Sequence, residues 1–158
     1  MSYDIYIGNA ELAVLEGLDD QPSSYYIRVN EMEHPDAPTF PNDDMTGNGN
    51  SRHPGYSQWT EFTRTAGLYD LFFNQDDGLM VAHPGNAALR PEHAKEIHKA
   101  LERWQARHPD ATPGFEAFAW GDEVPKHGYD PILARLIWLD WWVDYALKHC
   151  ERPCIYNH

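Results

Sequence analysis

PILARLIWLDWWVDYALKH, from Pro131 to His149, decides the architecture. Pro131 suits the first position of a helix, where its missing N–H has no partner to lose and its fixed φ is already helical. Asp130 is the residue type that caps such a start. At 3.6 residues per turn, Ile132, Leu136, Leu139, Val143 and Leu147 fall on one side; Trp138, Trp141, Trp142 and Tyr145 fall on the opposite side. A helix that is apolar all round is buried on both faces, so this one is expected at the centre of the fold. Asp140 is the exception. It projects between Leu133 and Leu147, inside the aliphatic stripe. A buried carboxylate is costly unless paired or hydrogen-bonded. Asp140 is therefore expected to have a partner or to line a pocket, unless the stripe is narrower and leaves it at the edge.

Outward from this helix the pattern is α+β. Pro91 opens another helix to about His108, with Ala94, Ile97, Leu101 and Trp104 on one face and Glu92, Lys95, Glu96, Lys99 and Glu102 on the other. Ser57 is a plausible cap for a helix carrying Trp59, Phe62 and Ala66, stopped by Gly67. Tyr3, Ile5 and Ile7 alternate with Asp4 and Tyr6, the period of a strand. Gly8-Asn9-Ala10 reads as a turn and Glu11 to Leu15 as a returning strand. Gln21-Pro22-Ser23 punctuates, and Ser24 to Asn30 is a third strand. Asp110 to Gly128 reads as loop. Residues 1–158 are expected to form one domain: a small N-terminal antiparallel sheet packed against about three helices.

Between the third strand and the first helix lies EHPDAPTFPNDDMTGNGNSRHPGYSQW, Glu33 to Trp59. The loop, residues 31–56, is far longer than the ~4–6 residues of an ordinary connection. Pro35, Pro38, Pro41 and Pro54 stiffen it, while Gly47, Gly49 and Gly55 let it turn. Long structured loops carrying polar side chains tend to be functional.

Charge narrows the function. Twenty-five acidic against 12 basic side chains give a formal net charge of −13, a field that repels phosphate backbones. Nucleic acid is not an expected partner, and local positive charge becomes more telling. Hydrophobic residues at 42%, with six Trp, nine Tyr and six Phe, supply a core. No apolar run is long enough to span a bilayer, so no membrane partner is expected. Tyr3-Asp4-Ile5-Tyr6 lacks the basic start and apolar run of a secretory signal, which makes a reducing cytoplasm the expected setting.

Three chemistries compete for the loop. The first is ligand capture. The glycines let backbone N–H groups approach an anion, and Arg52 can fork onto a phosphate or carboxylate. Asn48, Asn50, Ser51 and His53 can read polar groups, and Tyr56 and Trp59 can stack on a ring. With Asp140 these form the expected ligand-binding set. No Lys follows the glycines, so the stretch is not a P-loop, and it is not a dinucleotide fingerprint. The second is a metal site from His34, Asp36, Asp43, Asp44 and His53, with His83, His93 or His127 approaching. No spacing among them is a metal signature, and the four His-Pro pairs suit ordered turns equally well. No metal and no cofactor are expected. The third is an acidic surface that blocks a basic protein. Nucleophilic catalysis draws little support: there is no G-x-S-x-G, and Cys150 and Cys154 read as packing residues or an incidental redox pair. No catalytic residue is assigned.

YDIYIGNAE at Tyr3–Glu11, the loop itself and the ending YDPILARLIWLDWW…ERPCIYN resemble small uncharacterised proteins encoded on tailed-phage genomes. The resemblance implies the cytoplasm of an infected bacterium and a part in host takeover or defence evasion. The leading expectation is capture of a nucleotide or other phosphorylated small molecule under the loop. An enzyme acting on such a compound, with Asp140 and a loop histidine in the site, comes second. An acidic inhibitor of a host protein comes third, and a homo-oligomer is compatible with all of them.

Overall fold

The computed structural model describes residues 1–15, 24–38, 43–114 and 129–158. Pro41, the punctuation at Gln21-Pro22-Ser23, His127 and most of the loop expected over 110–128 lie outside them. The elements run β1 (Ile5–Leu15), β2 (Ser24–Val29), β3 (Ser51–Arg52), α1 (Tyr56–Thr65), α2 (Tyr69–Phe73), β4 (Gly85–Ala88), α3 (Pro91–Arg107), α4 (Pro131–His149) and β5 (Pro153–Asn157). The strands make one antiparallel sheet in the order β2-β1-β5-β4, with β3 also beside β1. The fold is α+β, and the sheet takes in β4 and β5 as well as the N-terminal strands.

Gly8-Asn9-Ala10 is not a turn. β1 runs straight through it, and the strand changes partner there: β5 begins, at Pro153, opposite Asn9 and β2 ends, at Val29, opposite Ala10. A Cβ on Gly8 would stand 3.0 Å from Val29 Cγ1. The glycine thus serves close packing, a common reason for one inside a strand.

α4 begins as its sequence dictates. Asp130 Oδ1 accepts the N–H groups of Ile132 at 2.8 Å and Leu133 at 3.2 Å, and its Oδ2 accepts the Trp104 indole N–H at 2.7 Å, tying α3 to the start of α4. The helix packs against α3, β1 and β5. Leu133, Leu136, Trp138, Leu139, Trp142 and Val143 are buried on it, together with Ala134 and Ala146. All of these but Ala134 join Ile5, Ile7 and Ile155 of the sheet, Trp59 and Phe62 of α1, Phe72 of α2 and Ile97 and Leu101 of α3 in one core.

α1 is capped by Gly55 instead of Ser57, because the Gln58 side chain reaches back to accept the Gly55 N–H at 2.7 Å. It stops where Gly67 adopts φ +73°, a left-handed conformation that glycine takes without penalty. Among the described residues no helix is long and apolar enough to cross a membrane.

Candidate functional site

The long loop is held by its own polar side chains. Asn50 is fully buried. Its Oδ1 accepts the Met32 N–H at 2.7 Å, and its Nδ2 donates to the carbonyls of Ile7 and Asn30, each at 2.9 Å. Arg52 Nη1 donates to the carbonyls of Asp43 at 2.9 Å and Thr46 at 2.6 Å. Burial pulls its guanidinium pKa down, against the upward pull of Asp43, Glu31, Asp44 and Glu33. Ser51 donates to Glu31 at 2.9 Å and Asn48 to the His34 carbonyl at 3.3 Å. Asp43 accepts the N–H groups of Met45 and Thr46, closing a turn. Trp59 is wholly buried against Phe62 and Phe72 and offers no ring face to a ligand. α4 holds the loop from below: Trp138 donates to the Gly49 carbonyl, and the His34 ring lies 5.5 Å from Trp141 and 5.2 Å from Tyr145.

Asp140 lies apart from these residues. It lines an open groove of about 700 Å³ between α3 and α4, its side chain 25% exposed. Ala94, Lys95, His98, Lys99 and Glu102 come from α3, and Asp140, Asp144 and Lys148 from α4. His98 stands between two carboxylates, with Nδ1 3.3 Å from Asp140 Oδ1 and Nε2 3.4 Å from Glu102 Oε1. Lys148 pairs with Asp144 at 2.8 Å. Burial raises the Asp140 pKa above its ordinary value; His98 pulls it back, and Asp144 and Glu102 add to the rise.

His53 and Tyr56, the remaining members of the expected set, meet residues from both ends of the chain. His53 Nδ1 lies 2.7 Å from Asp4 Oδ1, and His158 approaches the other oxygen at 3.6 Å. The Tyr56 hydroxyl lies 2.8 Å from His83 Nε2, and His83 Nδ1 lies 2.5 Å from Asn157 Oδ1. Among the described residues no group of three or more His, Cys, Asp or Glu is placed to hold a metal ion.

The structure therefore divides the expected set into a loop latch, a helix groove and a cluster at the end of the sheet. His98, Lys95, Lys99 and Lys148 escape a reading of the sequence because on α3 and α4 they look like ordinary solvent-facing positions. Their one signal is scarcity: the chain has four lysines, and three of them line this groove. Compared with known proteins, the chain matches no family model, no curated protein and no solved structure.

Proposed function

We propose that the protein captures a small phosphorylated compound, such as a nucleotide, in the groove between α3 and α4. The observation that carries this reading is the pair Lys95 and Lys99 in one groove of a chain whose formal net charge is −13; the third lysine there, Lys148, is engaged by Asp144, and Asp140 and Glu102 also line the groove. Such a field repels an anion except where local positive charge offsets it. Lys95 and Lys99 stand one helical turn apart on the same face. Among the described residues, neither lies within ion-pair distance of a carboxylate. His98, Asp140 and Glu102 face the same space and can take the hydroxyl or amino groups of the ligand. The volume falls within the range of small-molecule sites. Arg52, the cation expected to hold the anion, is engaged by the loop's own carbonyls. From the resemblance to tailed-phage proteins we infer an infected bacterial cytoplasm as the setting, with capture serving evasion of host defence.

Titration calorimetry with a panel of nucleotides and sugar phosphates tests the reading. A ligand should bind, and Lys95→Gln with Lys99→Gln should weaken it by roughly tenfold to a hundredfold for each charge-assisted hydrogen bond removed, with the melting temperature unchanged. Binding that survives this pair and disappears in Arg52→Ala would return the site to the loop. A panel without any binder would remove the proposal.

A second reading, a protein partner, rests on the β1–β2 hairpin. Leu12, Val14, Leu15 and Tyr25 are 62%, 50%, 62% and 67% exposed there. Among the described residues β2 is also an edge strand, and an edge strand presents unpaired backbone groups. Leu12, Val14 and Tyr25 share one face of the pair, and exposed apolar side chains beside an edge strand suit association. Sedimentation at several concentrations, with Leu12→Glu as control, distinguishes self-association from a monomer.

A further inference from the structure

Tyr56, His83 and Asn157 come from three distant parts of the chain: the first residue of α1, the turn before β4 and the last residue of β5. Their hydrogen bonds select one tautomer of the neutral His83 ring. Asn157 is fully buried, and its Nδ2 donates to the carbonyls of Ala82 at 3.0 Å and Gly85 at 3.4 Å. With both N–H groups directed to carbonyls, Oδ1 is what the amide presents to His83. An amide oxygen only accepts, so His83 Nδ1 carries the proton in that 2.5 Å contact. In the neutral ring Nε2 is then the basic nitrogen, and it lies 2.8 Å from the Tyr56 hydroxyl. The phenol donates to a base whose tautomer is set by a buried amide.

This is the arrangement of an activated nucleophile: a hydroxyl, a base within hydrogen-bond reach, and a third group that orients the base. We infer that Tyr56 is a base-assisted nucleophile toward activated acyl groups, with His83 as the base and Asn157 as the positioning residue. In the step, Tyr56 Oη bonds to the acyl carbon and the bond from that carbon to the leaving group breaks. The Tyr56 proton passes to His83 Nε2 and on to the departing atom; nothing is oxidised or reduced. An acyl group is favoured over a phosphoryl group by the surroundings. The Tyr56 ring contacts the Tyr3 ring at 4.5 Å and the His83 ring at 5.4 Å. These are uncharged groups, whereas phosphoryl transfer relies on cationic clamps.

The test uses N-acetylimidazole at limiting concentration on the full chain, with acetylation rates read tyrosine by tyrosine from peptide masses. Tyr25 and Tyr69 are the internal controls, exposed but outside the relay. Tyr56 should react roughly tenfold faster than either, a modest share of what a positioned base provides. His83→Gln should bring it down to their rate. Nitrogen-15 spectra of the unmodified protein should show His83 protonated on Nδ1, a readout that needs no variant. Tyr56 reacting no faster than Tyr25, or His83 protonated on Nε2 instead, would overturn the inference.

Discussion

Trp138 donates its indole N–H to the Gly49 carbonyl at 2.8 Å, so the most buried helix holds a loop that lies 89 positions earlier in the chain. Both groups are buried, and an unsatisfied carbonyl at that depth costs ~1–3 kcal/mol. Trp138→Phe, which keeps an aromatic ring and removes the donor, should lower unfolding free energy by about that amount. It should also speed protease cleavage near Gly47 and Gly49. Chemical denaturation and limited proteolysis read both effects. A decrease below ~0.5 kcal/mol with unchanged cleavage would mean this hydrogen bond contributes nothing.

Asn50 is the second latch. Its side chain serves the Met32 N–H and two carbonyls, those of Ile7 and Asn30, and so joins the loop to β1 and to the end of β2. Asn50→Ala should destabilise by more than Trp138→Phe, on the order of 3 kcal/mol or above, because three backbone groups lose their partner together. Asn48→Ala, whose amide makes a single 3.3 Å bond, should cost well under half of that. Equal melting temperatures for the two variants would contradict the latch.

Asp140 makes stability depend on pH in a stated direction. Burial raises its pKa in the folded protein. A carboxyl raised in this way binds its proton more tightly folded than unfolded. Its contribution therefore favours the fold below the unfolded value of ~3.9 and is lost as pH rises through the folded value. Ionised Asp140 is a cost near neutrality. Asp140→Asn should be the more stable protein at pH 7, with its advantage shrinking as pH falls toward ~4. The competing effect is removal of the half-exposed His98 hydrogen bond, worth ~0.5–1.5 kcal/mol at most. If the variant is less stable at pH 7, the contact with His98 outweighs desolvation.

The two thiols should differ in reactivity. Cys154 is buried in β5, and burial pushes its pKa up to about 11, against a smaller lowering by the Ala87 backbone. Cys150, at the end of α4, is only partly buried, with its pKa raised by the same cause. Reaction with a disulfide reagent near pH 8 should modify Cys150 slowly and leave Cys154 until the chain unfolds. Rapid reaction of both in the native protein would show that β5 opens readily.

The long helices are legible in the sequence because their chemistry is local. Pro91, Pro131 and Asp130 mark helix starts by their own stereochemistry, and fifteen or more residues of 3.6 periodicity leave little room for another reading. β4 and β5 are not legible. Gly85-Asn86-Ala87-Ala88 has neither alternation nor branched side chains, and it becomes a strand because β5 lies beside it. β1 looks broken at Gly8 because a glycine inside a strand and a glycine in a turn are alike until the partner strands are known. Asp140 stands out as a charge among aliphatic neighbours. Its partner His98 is on another helix, and no spacing along the chain connects them. Tyr56 is conspicuous as a ring, whereas His83 and Asn157, which give its hydroxyl a direction, are brought to it only by tertiary structure.

The place of β5 between β1 and β4 has a consequence for biosynthesis. Ile7 pairs with Ile155, so one flank of β1 stays open until Ile155 has been made. At ~5–20 residues per second, a ribosome leaves that edge unpaired for on the order of ten seconds. During that time Ile5 and Ile7, destined for the core, are presented beside unsatisfied backbone groups, a state that invites pairing with another nascent chain. Slow closure of such distant contacts also predicts slow refolding from denaturant. Yield in the cell should then respond to chaperone supply and translation rate more than to the equilibrium stability of the finished protein.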